Sequence, residues 1–234
     1  MSALYRTILR SLGTRGRLLA LGTLGFIAVL LAILVRSRSF DRTEAAFRVV
    51  DGYGLSVLVP VVALVFASAA LGDPAEDGTL VYLWLRPVPR WQLAVAAAAA
   101  AFTISAPIAV APVVLAAVIT GIGSRFVVGA ACGSLMAAAA YTAVFCGLGL
   151  RVRRALAWGL AYLLIWEQAV ARVAKGAARV SISVTTRTIT ARLADHMPLP
   201  RNAMSMPVAV LVPALAIAVA LALTSRSLER GEIT

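Results

Sequence analysis

Charge is scarce in this 234-residue chain. Charged residues make up 14% of it and hydrophobic ones 61%, against roughly 25% and 45–50% in soluble domains. A soluble domain of this length could not bury so much apolar surface, and the mean hydropathy of +0.92 agrees. The chain reads as membrane-embedded. Lysine is nearly absent, with Lys175 the sole example, so the net charge of +12 is carried by arginine. Those arginines fall in the gaps between apolar runs, where anionic headgroups attract them, rather than in the contiguous patch a nucleic acid would need. An arginine- and alanine-rich composition also points to a GC-rich bacterial genome. Cysteine is limited to Cys132 and Cys146 in one apolar run. Fourteen helical residues would set them about 21 Å apart, beyond the reach of a disulfide. There is no G-x-x-x-x-G-K-[ST] phosphate cradle, no H-E-x-x-H and no other metal spacing. The only histidine, His196, reads as a solvated loop residue. No catalytic, cofactor-binding or metal-binding set is expected in this chain.

What is present is a series of apolar runs, each near the roughly 20 residues that cross a bilayer. Six qualify, at 18–35, 53–71, 93–120, 126–150, 155–170 and 207–224, the fifth being short. They predict an all-α integral membrane protein with one six-helix transmembrane domain over 18–224 and a tail at 225–234. The first run is too long for a secretory signal, lacks a cleavage site and ends at Val35-Arg36-Ser37-Arg38, so it reads as a retained anchor. Ahead of it, Leu4, Ile8 and Leu12 recur every four residues among Arg6, Arg10, Arg15 and Arg17. That stripe predicts an amphipathic helix over 1–17 lying in the membrane interface. Positive charge does not choose an orientation, because eleven basic residues fall on each side.

The most informative stretch joins the second and third runs. Asp73 suits an N-cap, Pro74 the first helical position, and Glu76 stands three residues on. Leu80, Leu83 and Trp84 then share an apolar face, and Pro87 and Pro89 end the helix before Arg90 and Trp91. A short amphipathic helix over 73–90, on the membrane surface, is predicted. The stretch resembles the coupling segment of type-2 ABC transporter permeases. Glu76-Asp77-Gly78-Thr79-Leu80 is similar to their E-x-x-G-T-L element, one residue shorter before the glycine. Arg86-Pro87-Val88-Pro89-Arg90 is similar to their R-P-[VS]-[PS]-R element. Leu164-Ile165-Trp166-Glu167, followed by Val180-Ser181-Ile182, is similar to a second stretch of bacterial members.

The resemblance implies that Asp73, Glu76, Gly78, Thr79, Leu80, Leu83, Trp84, Arg86, Pro87 and Arg90 couple the chain to a separate ABC ATPase. Two ATPase copies, with their own ATP and magnesium, would drive a pair of permeases, the second being identical or related. Both termini and the 73–90 lever would then be cytoplasmic in a bacterial inner membrane, with 36–52 and 171–206 outside. Export is the implied direction. The rival expectations are a membrane scaffold without transport activity and a non-ABC carrier.

Few polar groups lie within the runs. Ser56, Ser68, Thr103, Ser105, Ser134, Tyr141 and Thr142 are weak candidates for a pathway, since such hydroxyls commonly bond to their own helix. An apolar interior fits a hydrophobic or amphipathic cargo better than a small ion. Glu167, near the end of the fifth run, either snorkels to the interface beside Trp166 or guards an exit, pairing with an outer arginine. Gly129 and Gly133 form a G-x-x-x-G face for close helix packing. Pro60, Pro107 and Pro112 predict kinks. The segment 171–206 predicts short helices resting on the outer leaflet.

Overall fold

The computed structural model describes residues 2–38, 41–78, 89–170, 178–194, 199–200 and 202–230. All regular structure among them is helical. Five helices are long and apolar enough to cross a membrane, and a shorter apolar helix occupies Ala155–Glu167. We number the α-helices along the chain as α1 (Ser2–Leu12), α2 (Arg15–Arg38), α3 (Arg42–Phe47), α4 (Val59–Glu76) and α5 (Arg90–Thr120). They continue as α6 (Ser124–Arg151), α7 (Ala155–Ala161), α8 (Ile182–Leu193) and α9 (Met206–Arg230). Two wide-turn π-helical stretches, Arg48–Leu58 and Tyr162–Val170, continue α3 into α4 and extend α7.

The second apolar helix is longer than its apolar run, spanning Thr43–Glu76. Pro60 sits just past its π-helical stretch. A proline has no N–H for the preceding turn and its ring crowds the carbonyl four residues back. Wide turns relieve both demands. Pro107 and Pro112 lie inside α5, which is helical from Arg90 to Thr120, and the Pro112 ring packs where Gly25 of α2 leaves room: a Cβ there would lie 2.7 Å from it. That fit sets the close approach of α2 to α5.

The core forms around α4, whose side chains from Val59 to Gly72 are mostly buried. Helix α6 runs beside it in the same direction. Phe47 and Phe126 meet at one end of this pair, ring centroids 5.3 Å apart. At the other end Gly72 and Gly149 cross, and a Cβ on Gly72 would stand 3.1 Å from the Gly149 carbonyl. Helices α2 and α9 lie outermost, and Leu19, Phe26, Leu211 and Leu215 are each more than half exposed. Lipid is the solvent that suits such faces.

Two expectations change here. Helix α1 is amphipathic as predicted, but Leu4, Ile8 and Leu12 are buried in the protein's own core, and the Tyr5 hydroxyl donates to Thr103 Oγ1 at 2.9 Å. Its apolar stripe is covered by α5 and α4, which offer a better-packed partner than disordered acyl chains. Helix α8 does not rest on a leaflet. Ser181, Ser183, Thr185, Thr186, Thr188 and Thr190 are all buried, and α8 packs on the Gly129–Gly133 face of α6. A Cβ on Gly129 would stand 2.7 Å from the Thr190 carbonyl, and one on Gly133 would overlap the Thr190 hydroxyl. The polar composition is tolerated because the threonine hydroxyls bond to carbonyls of their own helix, as Thr186 does to Ile182 at 2.9 Å and Thr188 to Val184 at 2.7 Å.

Candidate functional site

At one end of the bundle, α4 carries two acids into a charged corner. Asp73 is not a helix N-cap and Pro74 does not open a helix. Both lie in the last turns of α4, which ends at Glu76 with Asp77 as its C-cap and Gly78 at φ +66°. Asp-Pro-x-Glu suits a first turn, yet the preceding apolar residues keep their packing only if α4 continues. The stop comes instead from Gly78, which takes the left-handed conformation that ends helices. The glycine of the E-x-x-G element is therefore a helix terminator.

In that last turn the half-exposed Asp73 carboxyl accepts from the Arg17 guanidinium at 2.9 Å, tying α4 to the start of α2. Glu76 Oε1 accepts the backbone N–H of Arg154 at 3.3 Å. Arg154 is the only described non-glycine residue with positive φ, at 62°, a conformation that costs about 1 kcal/mol or more. The acid thus pins a strained turn between α6 and α7. A small cleft of about 170 Å³ lies between these groups, floored by Ser68 and Gly72. Arg90 begins α5. Thr79, Leu80, Leu83, Trp84, Arg86 and Pro87, with the predicted amphipathic helix they would form, lie outside the described residues.

At the opposite end Glu167 is buried rather than snorkelling, with 1% of its surface exposed. Its Oε1 accepts from the Tyr162 hydroxyl at 3.0 Å and the Ile182 N–H at 3.2 Å. Its Oε2 accepts from the Ser181 hydroxyl at 2.6 Å and the Ser183 N–H at 3.2 Å. Ser181 is the N-cap of α8, its Oγ accepting the Val184 N–H at 3.2 Å. The first three orphan amides of the helix are thereby satisfied, and the carboxyl lies at the positive end of its dipole. Among the described residues no arginine pairs with Glu167. Its partners are the hydroxyls and amides of the serine stretch that follows it in sequence.

Arg187, one turn further along α8, makes a two-pronged ion pair with Asp51 in the first π-helical stretch. The two side chains are 21% and 16% exposed. Each π-helical stretch thus supplies one acid that grips α8, Glu167 at its start and Asp51 on its flank. The Asp51–Arg187 pair, whose members are 136 residues apart, left no local pattern by which it could be read. Exchanging the charges tests its weight. Asp51→Arg alone should destabilise the protein by about 3 kcal/mol, and Asp51→Arg with Arg187→Asp should recover most of it. Thermal denaturation in detergent reads both values.

Of the remaining interior hydroxyls, Ser68 bonds Leu64 at 2.7 Å and Ser134 bonds Ala130 at 2.6 Å within their own helix, whereas the buried Tyr141 hydroxyl has no hydrogen-bond partner among the described residues. Ser105 and Thr142 face each other across α5 and α6 at 3.4 Å. Among the described residues no group of His, Cys, Asp and Glu could hold a metal ion. Five helices long and apolar enough to cross a membrane, a shorter apolar one, a charged corner at one end and a hydroxyl-rich helix folded into the other describe a multi-pass membrane protein. Residues 15–173 match the family model described as ABC-2 family transporter protein, and the chain belongs to that family. It is a multi-pass ABC transporter permease subunit. A comparison with curated proteins finds no match.

Proposed function

We propose that the chain is the membrane half of an ATP-driven exporter for a hydrophobic or amphipathic cargo, assembled as two permeases with two ATPase subunits. The ATPase docks on 73–90, which places the Arg17, Asp73 and Glu76 corner in the cytoplasm together with both termini, in a bacterial inner membrane. One observation carries this reading. The last turn of α4, just ahead of the R-P-V-P-R element, is bonded to the start of α2 through Asp73 and to the α6–α7 turn through Glu76. A push on 79–90 therefore reaches three membrane helices at once, which a lever from a nucleotide-driven motor requires. The apolar interior supports the cargo class, because serines such as Ser68 and Ser134 bond their own helix and the acids Glu167 and Asp51 are held by α8.

The test is co-purification of the tagged chain in mild detergent with an ATPase in stoichiometric amount. Deleting residues 76–79 should abolish that association while leaving membrane insertion intact. Retention of the ATPase by the deletion variant refutes the docking assignment, and absence of any ATPase from the native chain favours a scaffold. Thr79→Cys should react with a membrane-impermeant maleimide only in opened cells; labelling in intact cells would reverse the assigned sides. The Arg17–Asp73 pair, about a third and a half exposed, should contribute less than about 1 kcal/mol to stability. Asp73→Asn should therefore leave the melting temperature nearly unchanged while lowering transport-coupled ATP hydrolysis.

A further inference from the structure

We propose that the groove between α6, α7 and α9 is a binding site for one anionic phospholipid, with an acyl chain in the groove and the phosphate at the arginines at its end. The groove has a volume of about 580 Å³ and is walled by Phe145, Leu148, Trp158, Val219, Ala220 and Leu223. Its cause lies in two contacts. Helices α6 and α9 touch at Gly147 and Thr224, where a Cβ on the glycine would lie 2.7 Å from the threonine hydroxyl. They are stitched again where Arg151 Nε donates to Ser227 Oγ at 2.7 Å and Arg151 Nη2 to the Leu223 carbonyl at 3.2 Å. Helix α7 restarts beyond the left-handed residue Arg154 and leans away, leaving an open wedge.

The lining runs along α9 from Ala216 to Thr224, eight residues or about 12 Å, which suits the headgroup-proximal half of an acyl chain. Its one charged member is Arg151, the last residue of α6. Exposed Arg153 and Arg154 follow within three residues, and exposed Arg226 precedes Ser227 on α9. Four acids are described on the segments near this end, Asp73, Glu76, Asp77 and Glu229. Asp73 is paired with Arg17 and Glu76 bonds the Arg154 amide, while Glu229 lies a turn beyond Arg226. Arg151 at the end of an apolar slot, with exposed Arg153 two residues on and exposed Arg226 next to its partner Ser227, matches a phosphodiester above a hydrocarbon chain. Trp158, 63% exposed at the mouth, is the kind of residue that sits at headgroup level. The site does not depend on which side faces the cytoplasm or on any ATPase partner.

Trp158 also supplies the readout. The full-length chain carrying Trp84→Phe, Trp91→Phe and Trp166→Phe is reconstituted in phosphatidylcholine vesicles holding a minor fraction of chain-brominated lipid. Brominated phosphatidylglycerol should quench Trp158 with an apparent affinity on the order of fivefold above that of brominated phosphatidylcholine, the size of one arginine–headgroup attraction. Unlabelled phosphatidylglycerol should reverse it. Arg151→Gln should abolish the preference, Arg151→Lys should keep it, and Ala220→Phe, which fills the slot without touching the charge, should abolish it too. Equal quenching by the two lipids overturns the proposal, as does a preference that survives Ala220→Phe. Protection of Trp158 from both lipids in a chain that runs as a dimer also overturns it, assigning the groove to a second copy.

Discussion

Glu167→Leu is expected to unseat α8 and to destabilise the protein by on the order of 4 kcal/mol. The leucine is close in volume and would itself be tolerated in an apolar surrounding. The loss comes from what it leaves behind: the Tyr162 and Ser181 hydroxyls and the Ile182 and Ser183 amides all give up their acceptor. A buried donor without a partner costs about 1–3 kcal/mol, and the hydroxyls can recover part of this by rotation while the amides cannot. Glu167→Gln keeps one acceptor oxygen and should lose roughly half as much. The difference would show in thermal midpoints in detergent, and more locally in cysteine accessibility at Val184, which is buried in the native protein. Native-like melting of the leucine variant would mean that α8 is held by its Gly129–Gly133 seat alone.

Gly149→Ala should be the most damaging single-methyl change in the chain. The added Cβ would overlap the Ser68 carbonyl oxygen and stand 2.8 Å from the Ser68 Cα and 2.9 Å from its carbonyl carbon. Backbone atoms cannot rotate aside, so α4 and α6 must separate along the crossing that anchors the core. Overpacking of this kind costs about 1–3 kcal/mol, and Gly149→Leu should prevent folding. Gly22→Ala is the matched control: it too lies within a membrane-spanning helix, and nothing stands within 4 Å of its missing Cβ. There alanine should be neutral or stabilising by up to about 1 kcal/mol. If the two alanine variants melt alike, the crossing is looser than described. Since this crossing lies one turn above Asp73 and Glu76, a variant that still folds should, under the proposed docking on 73–90, also show weakened response to the ATPase.

The apolar runs made the membrane helices legible, because twenty residues without charge have few other uses. The stripe of Leu4, Ile8 and Leu12 likewise announced an amphipathic helix, but a stripe does not say whether lipid or protein covers it. Asp73, Pro74 and Glu76 misled for a definite reason. Residues that satisfy the amides of a starting helix also fit the end of one when an apolar helix runs into them, and only packing decides. A short helix within 171–206 was legible, but the burial of α8 was not, because its threonines look like surface residues until hydroxyls such as Thr186 and Thr188 are seen to bond their own backbone. Glu167 stood out in the sequence, whereas its partners, an N-terminus fifteen residues on and a tyrosine one turn back, follow from the fold. The glycines at 72, 147 and 149 carried a readable signal: a residue that costs a helix about 1 kcal/mol usually repays it through close approach.

The shortness of the Ala155–Glu167 helix has a consequence for the bilayer around it. Twelve residue steps raise Glu167 only about 18 Å above Ala155, whereas the hydrocarbon layer is about 30 Å thick. The start of α8 therefore sits well below the level of the headgroups at that end, and the last third of the slab is replaced there by amides and hydroxyls. Beside this helix the greasy barrier is locally thin, and a molecule approaching from the α8 side would meet hydrogen-bonding groups well inside the apolar slab.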